Sequence, residues 1–373
     1  MTKPIKLCHI STVHTLHDTR ILYRECSSLV DSGYDVSLVI TGQQDEVING
    51  VKILHIKPPK NRFYRMLLSP LKAFVRAIST GAKVYHLHDP ELIPMGLLFR
   101  FLGKKVIFDV HENITANIRE KTYLPFRNQL AIIYSAFEWC AAKFFYLILA
   151  ENSYRKNYEH LTKRFKVVLN TPDIEFFNKF NVSNRSLFKN LFYIGVVSSD
   201  RASITMIEVV KLLQARDTEI KFDCVGPAHG KQHNLIVENA NYPAVRNSYI
   251  LHGRLPLGEG YALSHRAALG IAILSPTKNY FESYPTKIFE YMAIGLPVVT
   301  SNFPLYRDVV EKYECGICVD PENPQQIADE IFSLLNDPER RKKYAENGYK
   351  AAREVFSWDV QRKELEAAYR EIL

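Results

Sequence analysis

The sequence predicts an α/β protein of two doubly wound units, each a parallel sheet layered with helices. Three observations carry this reading. Short apolar runs alternate with helical stretches in both halves of the chain. Polar residues gather just after those runs, where a parallel sheet collects its ligands. A segment punctuated by Asn, Pro and Asp, Val167-Val168-Leu169-Asn170-Thr171-Pro172-Asp173, divides the two series. A length of 373 residues suits two such units.

Taken in order, residues 5–11 read as a strand, 19–32 as a helix closed by Gly33, and 34–41 as a second strand. A short strand over 50–56 precedes a basic helix. A strand over 84–88, a helix over 92–102 closed by Gly103, and a strand over 105–109 follow. The polar groups after these strands are His9, Ser11 and His14, then His86, His88 and Asp89, then Asp109, His111 and Glu112. His86, His88 and Asp89 are metal-ligand types, but Pro90 stops the strand, so Asp89 is expected to cap the next helix. In the second half, a strand over 191–197 runs through Gly195, and a helix covers 204–214. Strands over 220–225, 249–252 and 268–274 come next, and residues 338–373 are helical with a fresh start at Ser357-Trp358. The expected domains are 1–175, completed by a C-terminal helix over 357–373, and 185–356.

Composition narrows the function classes. Apolar residues make up 47% and charged residues 24%, as in soluble globular proteins. The apolar run 130–150 contains Glu138 and Lys143, so it reads as a buried helix or an interfacial one and not as a membrane span. In residues 61–76, Arg62, Arg65, Lys72 and Arg76 alternate with Phe63, Met66, Leu67, Leu68, Phe74 and Val75, the pattern of a helix that binds anionic lipid. The formal charge of +8 suits a membrane surface or phosphate-bearing substrates. No nucleic-acid-binding module is recognisable, so nucleic acid is not an expected partner. Six scattered cysteines suit a reducing cytoplasm, and Cys315 and Cys318 read as a turn into a strand, since a zinc ribbon needs a second pair. The start is too brief for a signal peptide, which places the chain in the cytoplasm or peripherally on the inner face of the plasma membrane. There is no G-x-G-x-x-G, which speaks against nicotinamide, and no D-x-D.

The most informative stretch is Glu282-Ser283-Tyr284-Pro285-Thr286-Lys287-Ile288-Phe289-Glu290, followed by Gly295-Leu296-Pro297-Val298-Val299. Two carboxylates eight positions apart bracket a helix start. Carboxylates accept hydrogen bonds from sugar hydroxyls, and helix-start N–H groups accept phosphate. Together they describe a pocket for a sugar nucleotide.

The chain resembles the retaining glycosyltransferases of family four, which have the GT-B fold of two Rossmann-like domains facing an interdomain cleft. Glu282 to Glu290 is similar to that family's E-x7-E motif, Asn170-Thr171-Pro172-Asp173 to its interdomain link, and the Trp358 segment to its closing helix. His86-Leu87-His88-Asp89-Pro90-Glu91-Leu92 and Pro285 to Met292 resemble a bacterial branch that builds surface polysaccharide. The resemblance implies that Glu282 holds donor-sugar hydroxyls and that Ser283, Tyr284, Pro285 and Thr286 line the sugar and phosphate loop. It implies that Glu290 takes the ribose hydroxyls and that His111 sits over the donor sugar. Arg201 falls where the family carries a phosphate-binding lysine, and a guanidinium can do that work. The position after Gly195, usually basic, is Val196, which leaves phosphate charge to Arg201 with Lys287 as helper. Arg254 is a candidate neighbour of the base. The family's glycine-rich first loop is replaced by residues 12–20, where Asp18 and Arg20 are the acceptor candidates, against a helix cap with a solvated ion pair.

The implied chemistry needs no cofactor beyond the nucleotide-sugar co-substrate. Negative charge grows on the leaving diphosphate and is met by Arg201, Lys287 and helix-start N–H groups. In such enzymes the leaving phosphate takes the acceptor's proton on one face, so Glu282 binds sugar and need not attack. Metal-independent transfer to a glycan or lipid-linked acceptor at an anionic membrane surface is therefore expected. Two rivals remain: a nucleotide-sugar epimerase of the same fold, and a non-catalytic scaffold subunit.

Overall fold

The computed structural model describes residues 3–58, 61–120, 124–182, 184–185 and 187–373. The side chains of residues 62–64, 67, 116 and 120 also lie outside it, and with them Arg62, Phe63 and Leu67 of the basic stretch. The chain divides into two compact units, Met1–Asn170 with Trp358–Leu373, and Thr171–Ser357. The division falls at the front of the expected link, and the last helix returns to the first unit.

The first unit is built on strands β1 (Lys6–Ile10), β2 (Asp35–Thr41), β3 (Glu46–Ile48), β4 (Val51–Ile56), β5 (Val84–Leu87), β6 (Lys105–Val110), β7 (Tyr146–Leu149) and β8 (Phe165–Val167). Their spatial order is β3-β4-β2-β1-β5-β6-β7-β8, parallel except for the β3–β4 pair. The order reverses between β1 and β5, and in that register His9 lies opposite His86. Helix α1 begins as a π-wound stretch, Thr19–Cys26, and continues as Ser27–Asp31. It buries Ile21, Leu22, Cys26 and Leu29 against the sheet. Helices α2 (Arg62–Ile78) and α3 (Ile93–Phe101) follow.

The apolar run 130–150 is two elements, helix α4 (Arg127–Phe144) and strand β7. The strand is buried throughout, but α4 buries only Ala131, Ala141 and Ala142. The run is therefore not one buried helix: its buried part is a strand, and the helix is largely exposed. Among the described residues no helix is long and apolar enough to cross a membrane. The last helix, Trp358–Ile372, closes the core: Leu365, Ala368 and Tyr369 are buried, and Trp358 Nε1 donates to Ser28 Oγ at 2.9 Å.

The second unit carries β9 (Asn190–Ile194), β10 (Phe222–Val225), β11 (Tyr249–Gly253), β12 (Ala267–Ala272), β13 (Val298–Ser301) and β14 (Gly316–Val319). All its pairings are parallel, in the order β11-β10-β9-β12-β13-β14. The order reverses between β9 and β12, so the crevice of this sheet lies beyond the end of β9. Helix α5 (Thr205–Gln214) turns Met206, Ile207, Val209, Val210 and Leu213 inward. Helix α6 (Thr286–Ala293) buries Ile288, Phe289, Tyr291 and Met292. Both sheets are thus the Rossmann-like α/β units that the sequence predicts. Cys315 is buried and Cys318 sits within β14, both as free thiols.

Candidate active site

In the second unit, glycines clear the ends of three neighbouring strands. A Cβ on Gly226 would stand 1.7 Å from the Gly195 carbonyl oxygen, and its φ of +138° is already one that L side chains avoid. Gly195 N–H donates to Val225 O at 2.9 Å, and Gly226 N–H to Gly253 O at 2.8 Å, so the backbones stay laddered as they leave the sheet. Beyond them opens a cavity of about 800 Å³, lined by Gly195, Val196, Gly226, Pro227, Arg254 and Lys287 among others. Its volume suits a nucleotide-sized ligand.

Arg201 ends the tight turn Ser199–Arg201 after β9, and Ala202 follows in the left-handed region at φ +56°. The guanidinium lies 3.3 Å from where a Gly195 Cβ would stand. Tyr193 and Tyr280 hydroxyls hydrogen-bond it; burial works against its charge, but these partners raise its proton affinity overall. The Tyr193 hydroxyl donates onward to Val196 O at 2.6 Å. A fixed cation therefore stands beside the glycine-cleared strand end. Arg254 follows β11 and is exposed at the cavity wall.

The E-x7-E stretch folds as a short helix, Lys278–Glu282, a three-residue break, and α6. Ser283 Oγ donates to Asn279 O at 2.9 Å, and the Tyr284 ring packs edge-on against Phe289. Pro285 precedes α6, with its carbonyl accepting from Ile288 N–H at 3.0 Å. The first N–H groups of α6, on Thr286 and Lys287, are positions with no intrahelical acceptor. Glu290 accepts from the Tyr261 hydroxyl and from Lys287 Nζ. Lys287, expected as a free phosphate helper, is thus ion-paired to the ribose candidate one turn away while still facing the cavity. Tyr261 is a partner the sequence reading missed. It lies in a different helix, Leu257–Ala262, with no motif to mark it.

The first unit fills its strand ends instead of clearing them. Arg20 Nε and Nη2 each donate to Asp109 at 3.1 Å, Nη1 donates to Val168 O at 2.9 Å, and Nε lies 2.9 Å from Glu25. Arg20 is only 3% exposed. The acceptor assignment of Arg20 is therefore corrected: its charge is consumed inside the fold, in a buried pair and not a solvated one. Asp18 caps α1, accepting from Arg20 N–H and Ile21 N–H, which satisfies helix-start donors instead of a ligand. Asp89 also differs from expectation. It makes no cap bond to the helix that follows, and accepts from Thr12 N–H at 2.6 Å, Ser11 Oγ at 2.9 Å and Val13 N–H at 3.2 Å. It pins the loop after β1.

A chain of rings joins this cluster. His86 Nδ1 and His9 Nε2 each lie 2.9 Å from the Tyr369 hydroxyl, His9 Nδ1 lies 2.9 Å from His88 Nε2, and His88 Nδ1 lies 3.5 Å from Asp109. A carboxylate only accepts, so the proton positions follow in sequence from Asp109: Nδ1–H on His88, His9 and His86, with Tyr369 donating to His9. His111 Nε2 is 3.2 Å from the same carboxylate. Burial keeps His9 and His86 neutral, well below the usual imidazole range, and lowers His111 to about 4 despite Asp109 beside it. Burial raises Glu25, helped by Asp109 and opposed by Arg20. Glu25 and Tyr369 are further residues absent from the sequence reading. A glutamate on the apolar face of α1, between Leu22 and Cys26, was the signal for the first.

Among the described residues two groups could gather a metal ion, His9 with Glu25, His86 and His88, and His88 with Asp109 and His111. The hydrogen-bonded tautomers already engage most of those ring nitrogens, and the Arg20 guanidinium, against both Glu25 and Asp109, repels a second cation there.

Residues 173–351 match the family model described as "Glycosyl transferases group 1". That segment holds the glycine-cleared cavity, Arg201 and the E-x7-E stretch. The chain is 24% identical over 207 residues to the capsular polysaccharide biosynthesis glycosyltransferase CapM of Staphylococcus aureus, covering 53% of this chain and 52% of that protein. The chain spans about half or less of the length of the curated relatives it matches. Among solved structures, sucrose-phosphate synthase from Thermosynechococcus elongatus superposes with a TM-score of 0.76 at 14% identity, over 99% of each chain. Anabaena HepE in complex with UDP and glucose does so with a TM-score of 0.72 at 12% identity, over 98% of this chain and 99% of that one. These likenesses show a shared fold over nearly the whole length.

Proposed function

We propose that the chain is a retaining, metal-independent glycosyltransferase that moves a sugar from a nucleotide donor to a lipid-linked glycan in surface polysaccharide synthesis. The observation that carries this is the cavity at the ends of β9, β10 and β11, cleared by Gly195 and Gly226 and flanked by Arg201, Arg254 and the start of α6. A diphosphate fits against close-approaching backbone with one fixed guanidinium and free helix-start N–H groups. Arg201 and those N–H groups stabilise the leaving diphosphate, which takes the acceptor's proton as the new glycosidic bond forms. Fixed cations and dipoles do there what a metal ion does elsewhere. Glu290, held by Tyr261 and Lys287, accepts from ribose hydroxyls, and Glu282 from the donor sugar. His111, kept neutral, is assigned to the donor sugar by the family resemblance. A uridine nucleotide is the first donor to test, because HepE, of similar fold, is solved with UDP and glucose. The reaction belongs at the inner face of the plasma membrane, where lipid-linked acceptors are extended.

Val196, 38% exposed at the cavity, leaves one cation fewer than the related pattern. It is the observation behind the alternative of a non-catalytic scaffold. A thermal-shift panel of UDP-, GDP-, ADP- and TDP-sugars on wild type and Glu282→Ala separates the readings. A donor-specific rise that shrinks in the variant supports transfer. No rise with any nucleotide sugar in folded protein supports the scaffold. Sugar isomerised without acceptor supports the epimerase.

A further inference from the structure

Helix α4 presents an apolar face to solvent. Ile132, Ile133, Phe137 and Phe144 recur at helical spacing along it, and Ile132 and Ile133 are 63% and 55% exposed. Trp139 flanks the stripe, half exposed. Helix α3 packs beside α4 and adds Leu98 and Phe101, the latter 88% exposed. Together they make a contiguous apolar surface of the kind that marks a partner site.

Apart from one inward-turned acid, the charges carried by the two helices are basic: Arg100 on α3, and Arg127 and Lys143 on α4. The single acid of α4, Glu138, turns inward to accept from Thr115 and from Tyr158, and α3 contains no acid. At the end of α4, a cavity of about 330 Å³ is lined by Arg100, Lys105, Lys163 and Arg164, with Phe144 on its wall. Backbone carbonyls hold three of these cations, Arg100 on Lys104 O, Lys163 on Glu159 O and Arg164 on Lys143 O, and Lys105 bonds the main-chain oxygen of Leu373. The cavity's one acid, Glu371, is engaged by Lys166 and by the Tyr146 hydroxyl. Lys143 bridges the two features, with its Nζ 5.9 Å from the Trp139 ring.

We infer that α3 and α4 form a docking surface for an anionic phospholipid bilayer, with the Arg100–Lys105–Lys163–Arg164 cavity as a phosphate-headgroup subsite. An apolar stripe with an aromatic at its edge and a cluster of cations held on main-chain oxygens beside it matches the boundary between acyl chains and anionic headgroups. This rests on the proposal that the acceptor is lipid-linked, and it moves the membrane contact from the basic stretch in α2 to α4.

The test uses the full chain and vesicles of phosphatidylcholine alone or doped with phosphatidylglycerol. The protein has two tryptophans, and Trp358 is buried, so Trp139 reports the surface. Flotation with doped vesicles only, a blue shift of Trp139 emission, and weakening by salt are expected. Ile133→Asp with Phe137→Asp abolishes both signals, and Lys163→Ala and Arg164→Ala each weaken binding about fivefold. All four side chains are at the surface, and unchanged Trp358 emission checks the fold. Absence of flotation, or flotation indifferent to all four changes, overturns the proposal. So does stabilisation by inorganic phosphate through Arg164 without vesicle binding, which makes the cavity a soluble-anion site. A dimer that Ile133→Asp dissociates, with no vesicle binding, also overturns it in favour of a second copy. Donor thermal shifts in the same variants report the second unit separately, so failure of docking and failure of the transfer reading are distinguishable.

Discussion

Both units gather polar residues at the carboxyl ends of a doubly wound sheet, yet they use that place in opposite ways. The first packs it with Arg20, Asp109, Glu25 and a chain of histidines, nearly all buried and bonded to one another. The second strips it to glycine backbone and leaves a cavity with Arg201 and Arg254 at its edge. A strand end is therefore a location and not a function. What decides is whether the side chains there spend their hydrogen bonds on the fold or leave room for a ligand.

The comparison breaks most easily at Asp109. Asp109→Ala strips the buried Arg20 guanidinium of its two carboxylate hydrogen bonds, leaving Glu25 as its remaining acidic neighbour, and costs about 3–5 kcal/mol. Chemical denaturation reads this, and unchanged stability would mean that the cluster is not the brace described. Gly226→Ala is the matching change in the second unit. Its methyl meets the Gly195 carbonyl, so the donor-induced thermal shift disappears while intrinsic stability falls by about 1–3 kcal/mol. A variant that still binds nucleotide sugar would move the ligand away from these glycines.

The third test is pH. His111 protonates near 6.5 when unfolded and near 4 when folded, so the unfolded state binds more protons between those values. Its contribution is lost as pH falls through that window, at up to about 1.4 kcal/mol per unit. His9 and His86 act in the same sense. His14, raised by Asp89 despite burial, and Glu25, raised by burial, run the other way. The diagnostic quantity is therefore a difference: melting temperatures of His111→Gln against wild type from pH 7 to 4.5 should show a shallower acid limb in the variant. The smallest effect is at Tyr261→Phe, which removes one donor to Glu290 and costs about 1 kcal/mol. A weaker donor shift with little loss of stability would tie that bond to the ribose candidate.

Strand and helix positions were legible because each depends on short-range pattern. Short apolar runs became β1, β2, β9 and β13, and Gly33 and Gly103 closed helices where expected. The halves of 130–150 were merged because an apolar helix running straight into a buried strand has no internal stop signal. For the candidate site, spacing singled out Glu282 and Glu290, and the family resemblance singled out Arg201. The fates of Arg20, Asp89 and Lys287 were not, because each is decided by a partner 3 to 89 residues away. Sequence marks charge, but it does not say which charges will neutralise each other.

The last helix adds a consequence in time. The Tyr369 hydroxyl bonds His9 and His86, which are synthesised 360 and 283 residues earlier. At typical elongation rates those imidazoles wait roughly 15 to 70 s for their partner. The second unit, Thr171–Ser357, is wholly synthesised within that interval. During translation the second unit can be finished while the older half of the chain is still open, so a released chain ending at Ser357 should already bind nucleotide sugar if the proposed cavity is the donor site.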